Sequence, residues 1–327
     1  MHFRRTFILA VALLAVRGGA VAQQNTPSAW ASTTGRTSVL VTDSMLVNGR
    51  PVRIETSDGD RFDDSKFVPG QLALGTANSV ASGSYTPPGG RPFNSSGAAS
   101  SFGSAMADYG MLKAFAAGSG SGSQANNVIS EAYSTAHFTD FIVLTGSSLV
   151  EVEFGFGLEG SVSAQPLGPP PVTQGTEGSR GSANAGAGLL WGVQNLRTQQ
   201  SFNDNFGIGP QFTGSEPLSA TVRIAGSPGD TILIVATLNA GGGVGMLQTG
   251  SADYLADASN TAETFIRVLT AGAGYVAASG MQYPTDFSWT TPIPEPGTYA
   301  LLGLGLLAVM VRARSQPAER PPVTQVT

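Results

Sequence analysis

The sequence predicts an all-β fold, an antiparallel β-sandwich of jelly-roll-like or Ig-like type with long Gly/Ser/Pro-rich loops. The clearest sign is the segment VEVEFGFGLE (150–159), in which apolar residues alternate strictly with glutamate or glycine. That alternation is typical of a strand with one buried face. The chain also contains 43 glycines and no amphipathic helical pattern in its central part, so helices are disfavoured there.

Residues 1–22 come first in the chain and are predicted to be a secretory signal peptide. Two arginines precede the apolar run FILAVALLAV, which is too short for an ordinary membrane span. Ala20 and Ala22 then offer small side chains at the positions that a signal peptidase reads. We therefore expect the chain to be exported and to begin at Gln23 after cleavage.

An extracytoplasmic β domain is predicted over residues 23–292. Besides 150–159, six segments with alternating apolar residues are predicted to be strands: 38–47, 106–116, 136–144, 220–224, 231–238 and 261–269. Three segments rich in Gly, Ser, Ala and Pro are predicted to be long exposed loops: 81–104, 117–127 and 164–188. A sandwich follows, because strands with one apolar face bury it between two packed sheets.

Charge and cysteine content exclude several classes of function. Residues 23–293 contain 11 of the 17 basic and 20 of the 22 acidic residues, a net charge of −9 that argues against nucleic-acid binding. The chain has no cysteine, so disulfides, Cys-ligated metals and thiol nucleophiles are excluded. Neither Lys66 nor Lys113 ends a phosphate-binding P-loop motif.

The C-terminal part contains an apolar segment that is shorter than an ordinary membrane span. Pro294 and Pro296 cannot lie inside a helix, so a transmembrane helix is predicted over 297–311. At the rise of an α-helix this segment is about 22 Å long, against a hydrocarbon thickness of about 30 Å. The arginines after it place the tail, residues 315–327, in the cytoplasm and the bulk of the protein outside.

The segment IPEPGTYALLGLGLLAVMVRAR (293–314) resembles the PEP-CTERM sorting signal of Gram-negative bacteria. Its parts are Pro-Glu-Pro, a short apolar helix and basic residues. The resemblance implies recognition by a membrane-embedded exosortase, removal of the helix and delivery to the cell envelope or to the extracellular polymer of a biofilm. It also implies roles for five residues, the processing motif and the basic end: Pro294, Glu295, Pro296, Arg312 and Arg314.

Four aspartates in SDGDRFDD are the candidate metal ligands: Asp58, Asp60, Asp63 and Asp64. The segment is predicted to be a turn-rich acidic loop, and calcium is bound by such loops through six to eight oxygen ligands. The spacing does not match an EF-hand, so an ordinary solvated loop is the alternative. No other cofactor is predicted.

Other patterns suggest catalysis but have simpler interpretations. His137 shares a predicted strand with Asp140, but no Gly-x-Ser-x-Gly turn accompanies them, and an exposed histidine is expected. Glu151 and Glu153 have a spacing comparable with that of glycosidase carboxyl pairs. Because apolar residues alternate with them, both glutamates are expected on the solvated face. GFGLEG (155–160) lies within a strand, and no helix follows it for a dinucleotide site.

Sugar-binding modules usually offer coplanar aromatic rings, whereas the tryptophans of this chain are widely separated: Trp30, Trp191 and Trp289.

The function expected is that of an exported, non-enzymatic surface or extracellular-matrix protein. Signal peptidase and exosortase are its expected processing enzymes, and extracellular polysaccharide is its possible partner. A carbohydrate- or calcium-binding adhesion module is the alternative, followed by a polysaccharide-active enzyme.

Overall fold

The computed structural model describes residues 26–47, 50–85, 93–123, 127–167, 182–209, 217–245 and 250–287. These residues form thirteen β-strands and no helix, which confirms the predicted all-β class. The strands are β1 Ser28–Val47, β2 Arg50–Lys66, β3 Leu72–Tyr85, β4 Phe93–Asp108, β5 Met111–Ser123, β6 Asn127–Thr145, β7 Val150–Leu167, β8 Ser182–Asn195, β9 Ser201–Ile208, β10 Leu218–Gly226, β11 Thr231–Gly245, β12 Gly250–Val268 and β13 Gly274–Ala277.

The strands form two antiparallel sheets that face each other. The first, sheet A, has the order β2-β1-β6-β11-β8-β9, and β13 pairs with β6 beside this path. The second, sheet B, has the order β10-β7-β12-β5-β4-β3. Contacts between the sheets join β1 to β4 and β6 to β5, among others. The antiparallel arrangement is confirmed, and the jelly-roll-like or Ig-like type stays a prediction.

The turns that follow the even-numbered strands lie at one end of this two-layer structure. The turns after β2, β4, β6, β8, β10 and β12 all lie there, because consecutive strands run in opposite directions. We call this the lower end. Within the described ranges no helix is long and apolar enough to cross a membrane. The predicted membrane helix 297–311 lies outside those ranges.

The core lies between the sheets and divides into two apolar clusters. The larger cluster contains Phe138, Phe154 and Phe156, all with 0% of their surface exposed. Phe156 stacks on Trp191 of the opposite sheet with ring centroids 4.5 Å apart. The alternation predicted in 150–159 is confirmed, because Val150, Val152, Phe154, Phe156 and Leu158 are all buried. This cluster anchors the lower and central parts of the two sheets.

The second cluster is built from small side chains, and it explains why two predicted loops are strands. Ala81, Ala99 and Ala116 are buried in it, together with Tyr254. A Cβ atom at Gly118 of β5 would overlap the hydroxyl oxygen of Ser130 in β6 of the opposite sheet, so the sheets approach closely there. In these segments Ala or Gly alternates with Ser at the period of a β-strand. The two kinds of position differ little in hydrophobicity, so the alternation is hard to recognise in the sequence. The prediction of loops over 81–104 and 117–127 is therefore wrong for most of their lengths.

Two further predictions about elements need correction. The predicted strand 106–116 is a hairpin, because Tyr109 and Gly110 form a turn between β4 and β5. Gly110 has a φ of 80°, a backbone conformation that favours glycine. Of the predicted loop 164–188, residues 164–167 belong to β7 and residues 182–188 to β8.

Candidate functional site

The four candidate aspartates lie in strand β2, so the prediction of a turn-rich loop is wrong. β2 is the edge strand of sheet A, next to β3, the edge strand of sheet B. Backbone N–H groups of β3 donate to three of the carboxylates: Val80 to Asp58 at 2.7 Å, Asn78 to Asp60 at 3.0 Å and Leu74 to Asp64 at 3.0 Å. Along these three bonds the residue number in β2 rises as the residue number in β3 falls, as it does in a pair of antiparallel strands. The carboxylates of β2 therefore accept the bonds that backbone carbonyls of a neighbouring strand would otherwise accept.

This carboxylate ladder covers the edge of sheet B. The N–H groups of an edge strand otherwise offer a template for pairing with another chain. Phe62 occupies the gap in the ladder between Asp60 and Asp64, and a Cβ atom at Gly75 of β3 would overlap its ring. The acidic segment thus closes one side of the core.

Calcium binding by these residues stays a prediction. Asp63 lies on the opposite face of β2 from the other three, because neighbouring strand residues point to opposite sides. Asp64 also forms a salt bridge with Lys66 at 2.7 Å. Within the described part of the chain, no group of three or more His, Asp or Glu side chains is placed to hold a metal ion.

We expect the Asp58→Ala/Asp60→Ala double variant to melt at a lower temperature, by about 2–8 °C, because two N–H groups of β3 lose their acceptors. Asp63→Ala is the matched control and should melt with the parent protein. The measurement is thermal unfolding followed by circular dichroism. Equal melting of the double variant and the control would show that the ladder adds no stability.

The ladder should also weaken at low pH. The salt bridge with Lys66, followed by the N–H of Leu74, lowers the pKa of Asp64 below its ordinary value of 3.8. A carboxylate whose pKa is lowered by folding stabilises the fold above the unfolded pKa, and this contribution is lost as the pH falls through the folded value. The contribution of Asp64 is therefore present at neutral pH and lost below about pH 4.

His137 and Asp140 do not form a catalytic pair, because they point to opposite faces of β6. His137 lies on the outer face of sheet A, but it is half-buried rather than exposed as expected. Its ring stacks on Trp30 with centroids 5.3 Å apart, and its nitrogens lie 2.8 Å from Thr237 Oγ1 and 3.0 Å from Thr139 Oγ1. Burial lowers the pKa of His137, which favours the neutral ring.

Asp140 lies on the inner face and is completely buried. Tyr283 donates its hydroxyl to Asp140 Oδ2 at 2.8 Å, and Ser279 donates both its hydroxyl and its backbone N–H to the carboxylate. Burial, followed by the charge of Asp140, raises the pKa of the Tyr283 phenol. These partners lie about 140 residues further along the chain, so no local pattern could have indicated this cluster. These hydrogen bonds to Asp140 hold residues 278–283 against sheet A.

Glu151 is exposed, as expected, but the prediction of a solvated Glu153 is wrong. Only 8% of Glu153 is exposed. Arg223 of β10 and Arg267 of β12 lie on the two sides of it, at 2.9 Å and 3.3 Å. β7 lies between β10 and β12, so the two arginine side chains cover Glu153 from both sides. Alternation along β7 alone would have assigned this face of the strand to solvent. An arginine inside each of two predicted strands was the signal that could have indicated this.

The three tryptophans have separate environments. Trp191 is a core residue stacked on Phe156, and Trp30 stacks on His137 at the surface. Trp289 lies outside the described residues. GFGLEG is part of β7, where a Cβ atom at Gly155 would overlap the ring of Phe265. β7 continues past the motif to Leu167, so the end of GFGLEG lies inside a strand.

The predicted processing residues lie outside the described ranges: Ala20, Ala22, Pro294, Glu295, Pro296, Arg312 and Arg314. The last described residue, Phe287, packs edge-on against Phe265 of β12 with ring centroids 4.7 Å apart. Asp286 forms a salt bridge with Arg267 at 3.1 Å. The chain therefore runs along β12, near the lower end, immediately before the sorting segment.

Comparison with protein families matches residues 292–315 to the PEP-CTERM protein-sorting motif. No curated protein sequence and no solved structure matches the chain. The match includes Pro294, Glu295, Pro296, Arg312 and Arg314, which the sequence had indicated. The motif implies export, a membrane-anchored intermediate and processing by an exosortase. The chain is therefore a PEP-CTERM sorting-domain protein, in which a two-sheet β structure precedes the C-terminal sorting motif.

Proposed function

We propose that the protein is a non-enzymatic component of the cell surface or extracellular matrix, released from the membrane by cleavage near Pro294-Glu295-Pro296. The sorting motif at residues 292–315 is the observation on which this proposal depends. A cleaved signal peptide over residues 1–22 and a domain over residues 23–292 complete the proposed organisation. The β domain would be the part that remains at its destination.

The environments of the candidate catalytic residues support a non-enzymatic role. His137 is held by Trp30 and two threonines, and Asp140 faces the core on the other side of β6. Glu153 is paired with two arginines, whereas a glycosidase acid needs a carboxyl group that can exchange a proton with substrate. Each of these side chains has a structural role in the fold.

A carbohydrate-binding adhesion module is the second candidate, and the outer face of sheet A favours it. Trp30 and His137 are cross-strand neighbours there, and Tyr133 lies on the same face of β6 with 43% of its surface exposed. Thr135 lies between Tyr133 and His137 along β6, and its hydroxyl donates to the side-chain oxygen Oδ1 of Asn239 at 2.9 Å. Sugar rings stack on aromatic rings and bond to hydroxyl and amide groups. A glycan array with the parent protein and the Tyr133→Ala variant separates the two candidates, because only specific binding that the variant loses supports adhesion.

We expect replacement of Pro294, Glu295 and Pro296 by alanine to leave the full-length chain in the inner membrane. Without the proline-bounded exit the exosortase loses its recognition site, while the apolar segment and its arginines still stop transfer. The matched control is Pro317→Ala/Glu319→Ala/Pro321→Ala, which changes the same residue types in the tail. Fractionation and mass spectrometry of the surface form provide the measurement. Recovery of SQPAERPPVTQVT from mature surface protein would contradict the proposed cleavage.

A further inference from the structure

Exposed apolar side chains are concentrated at the lower end. Among the described residues, nine of the twelve large apolar side chains that are exposed lie in the turns of this end or within three residues of them. Monomeric soluble proteins rarely expose contiguous apolar patches, and such patches often mark contacts with proteins or membranes. Five of these residues lie in the turns themselves or in β13, and we call them the apolar rim: Phe67, Val68, Leu149, Leu269 and Val276.

Backbone bonds hold several parts of the rim together. Val276 of β13 lies directly opposite Val143 at the end of β6, and both side chains are exposed. The N–H of Leu269 donates to the carbonyl of Glu151 at 2.9 Å, next to the turn that contains Leu149. On the other side, Gly70 donates to the carbonyl of Ala107 at 2.8 Å and fixes the turn after Phe67 and Val68. The rim is thus a fixed feature of the lower ends of both sheets.

The chain leaves the domain near the rim. Phe287 packs on Phe265, which lies three residues before the end of β12, or about 10 Å along the strand. Pro294 follows seven residues after Phe287, and seven residues span at most about 25 Å. Because Phe287 itself lies about 10 Å from the lower end, a chain held in the bilayer by its sorting segment keeps the lower end within about 35 Å of the membrane surface.

We propose that the apolar rim rests on the outer surface of the lipid bilayer while the sorting segment anchors the chain. This inference rests on the proposed function, because it needs the membrane-held intermediate. Side chains such as Phe67, Leu149 and Val276 enter the headgroup and acyl boundary, which removes their apolar surface from water. The contact fixes the orientation of the domain and presents the residues around Pro294 at the membrane surface, where a membrane enzyme acts.

Two exposed valines provide a matched test. Val276 in the rim is 62% exposed, and Val80 on the edge strand β3 is 68% exposed. Val80 lies eight residues from the start of β3, about 27 Å from the lower end. Because the chain has no cysteine, Val276→Cys and Val80→Cys each give one site for a fluorescent label. Both variants are placed in the full chain and reconstituted in phosphatidylcholine vesicles.

We expect aqueous iodide to quench the label at position 276 several-fold less than the label at position 80. A brominated lipid should quench the label at position 276 and leave the other unchanged. Equal iodide quenching at the two positions overturns the inference. Protection from iodide without quenching by brominated lipid also overturns it, because the rim is then covered by protein, either a second copy or the chain's own terminal residues.

Flotation of the vesicles separates this inference from the proposed function. A chain that floats with the vesicles but exposes position 276 to iodide keeps the anchored intermediate and loses only the rim contact. A chain that does not float contradicts the anchored intermediate and the rim contact together. Equal melting temperatures of the two labelled variants and the parent protein show that the substitutions leave the fold intact.

Discussion

Replacing Asp140 with alanine is expected to lower the free energy of unfolding by about 3 kcal/mol. The carboxylate is completely buried and accepts hydrogen bonds from Ser279 and Tyr283. Hydrogen bonds to a charged group stabilise more than neutral ones, and the substitution leaves the buried Tyr283 hydroxyl without this acceptor. Denaturant unfolding at pH 7 measures the change from the midpoint and the slope.

The Asp204→Ala variant is the control for this experiment. Asp204 is exposed on the edge strand β9, where its carboxylate accepts a hydrogen bond from the backbone N–H of its neighbour Asn205. Its substitution should change the free energy of unfolding by about 0.5 kcal/mol or less. Faster amide hydrogen exchange at Ser279 and Tyr283 in Asp140→Ala would locate the loss in residues 278–283. A change no larger than that of the control would contradict the proposed role of Asp140.

The Phe156→Ala variant is expected to lose about 3–5 kcal/mol of unfolding free energy. The ring is completely buried and stacks on Trp191, so its removal deletes apolar contacts between the two sheets and leaves a cavity. Phe67→Ala removes the same ring from a side chain that is 75% exposed and should cost about 0.5 kcal/mol or less. A loss of only about 0.5 kcal/mol in Phe156→Ala would mean that sheet packing at Phe156 does not stabilise the fold.

Part of the fold could be predicted because local alternation reports which residues of a strand share a face. The predicted segments 38–47, 136–144, 220–224 and 231–238 all lie within observed strands. β4 could not be predicted in this way, because its inward positions include Ser101, Gly103 and Ala105, whose small side chains give little hydrophobic contrast with their neighbours. Their alternation becomes meaningful only when a second sheet lies close enough to bury them.

The candidate sites show the same division. The sequence indicated Asp58, Asp60 and Asp64 as candidate metal ligands, but their partners in the structure are backbone groups of β3 that no side-chain pattern encodes. The burial of Glu153 depends on Arg223 and Arg267, which lie 70 and 114 residues away along the chain. Exposure was therefore predicted correctly for Glu151 and wrongly for its neighbour on the same face.

The sequence by itself determined the sorting motif and the all-β class, because both are written in contiguous residues. Pro294-Glu295-Pro296, the apolar segment and Arg312 are read in linear order, and the period of two in 150–159 is a local property of one strand. Only the tertiary structure decided that Asp140 is a buried acceptor and that Asp58 and Asp60 cover a sheet edge. The physical reason is that burial and hydrogen bonding depend on which distant strands become neighbours, and strand pairing is set by the packing of the whole domain.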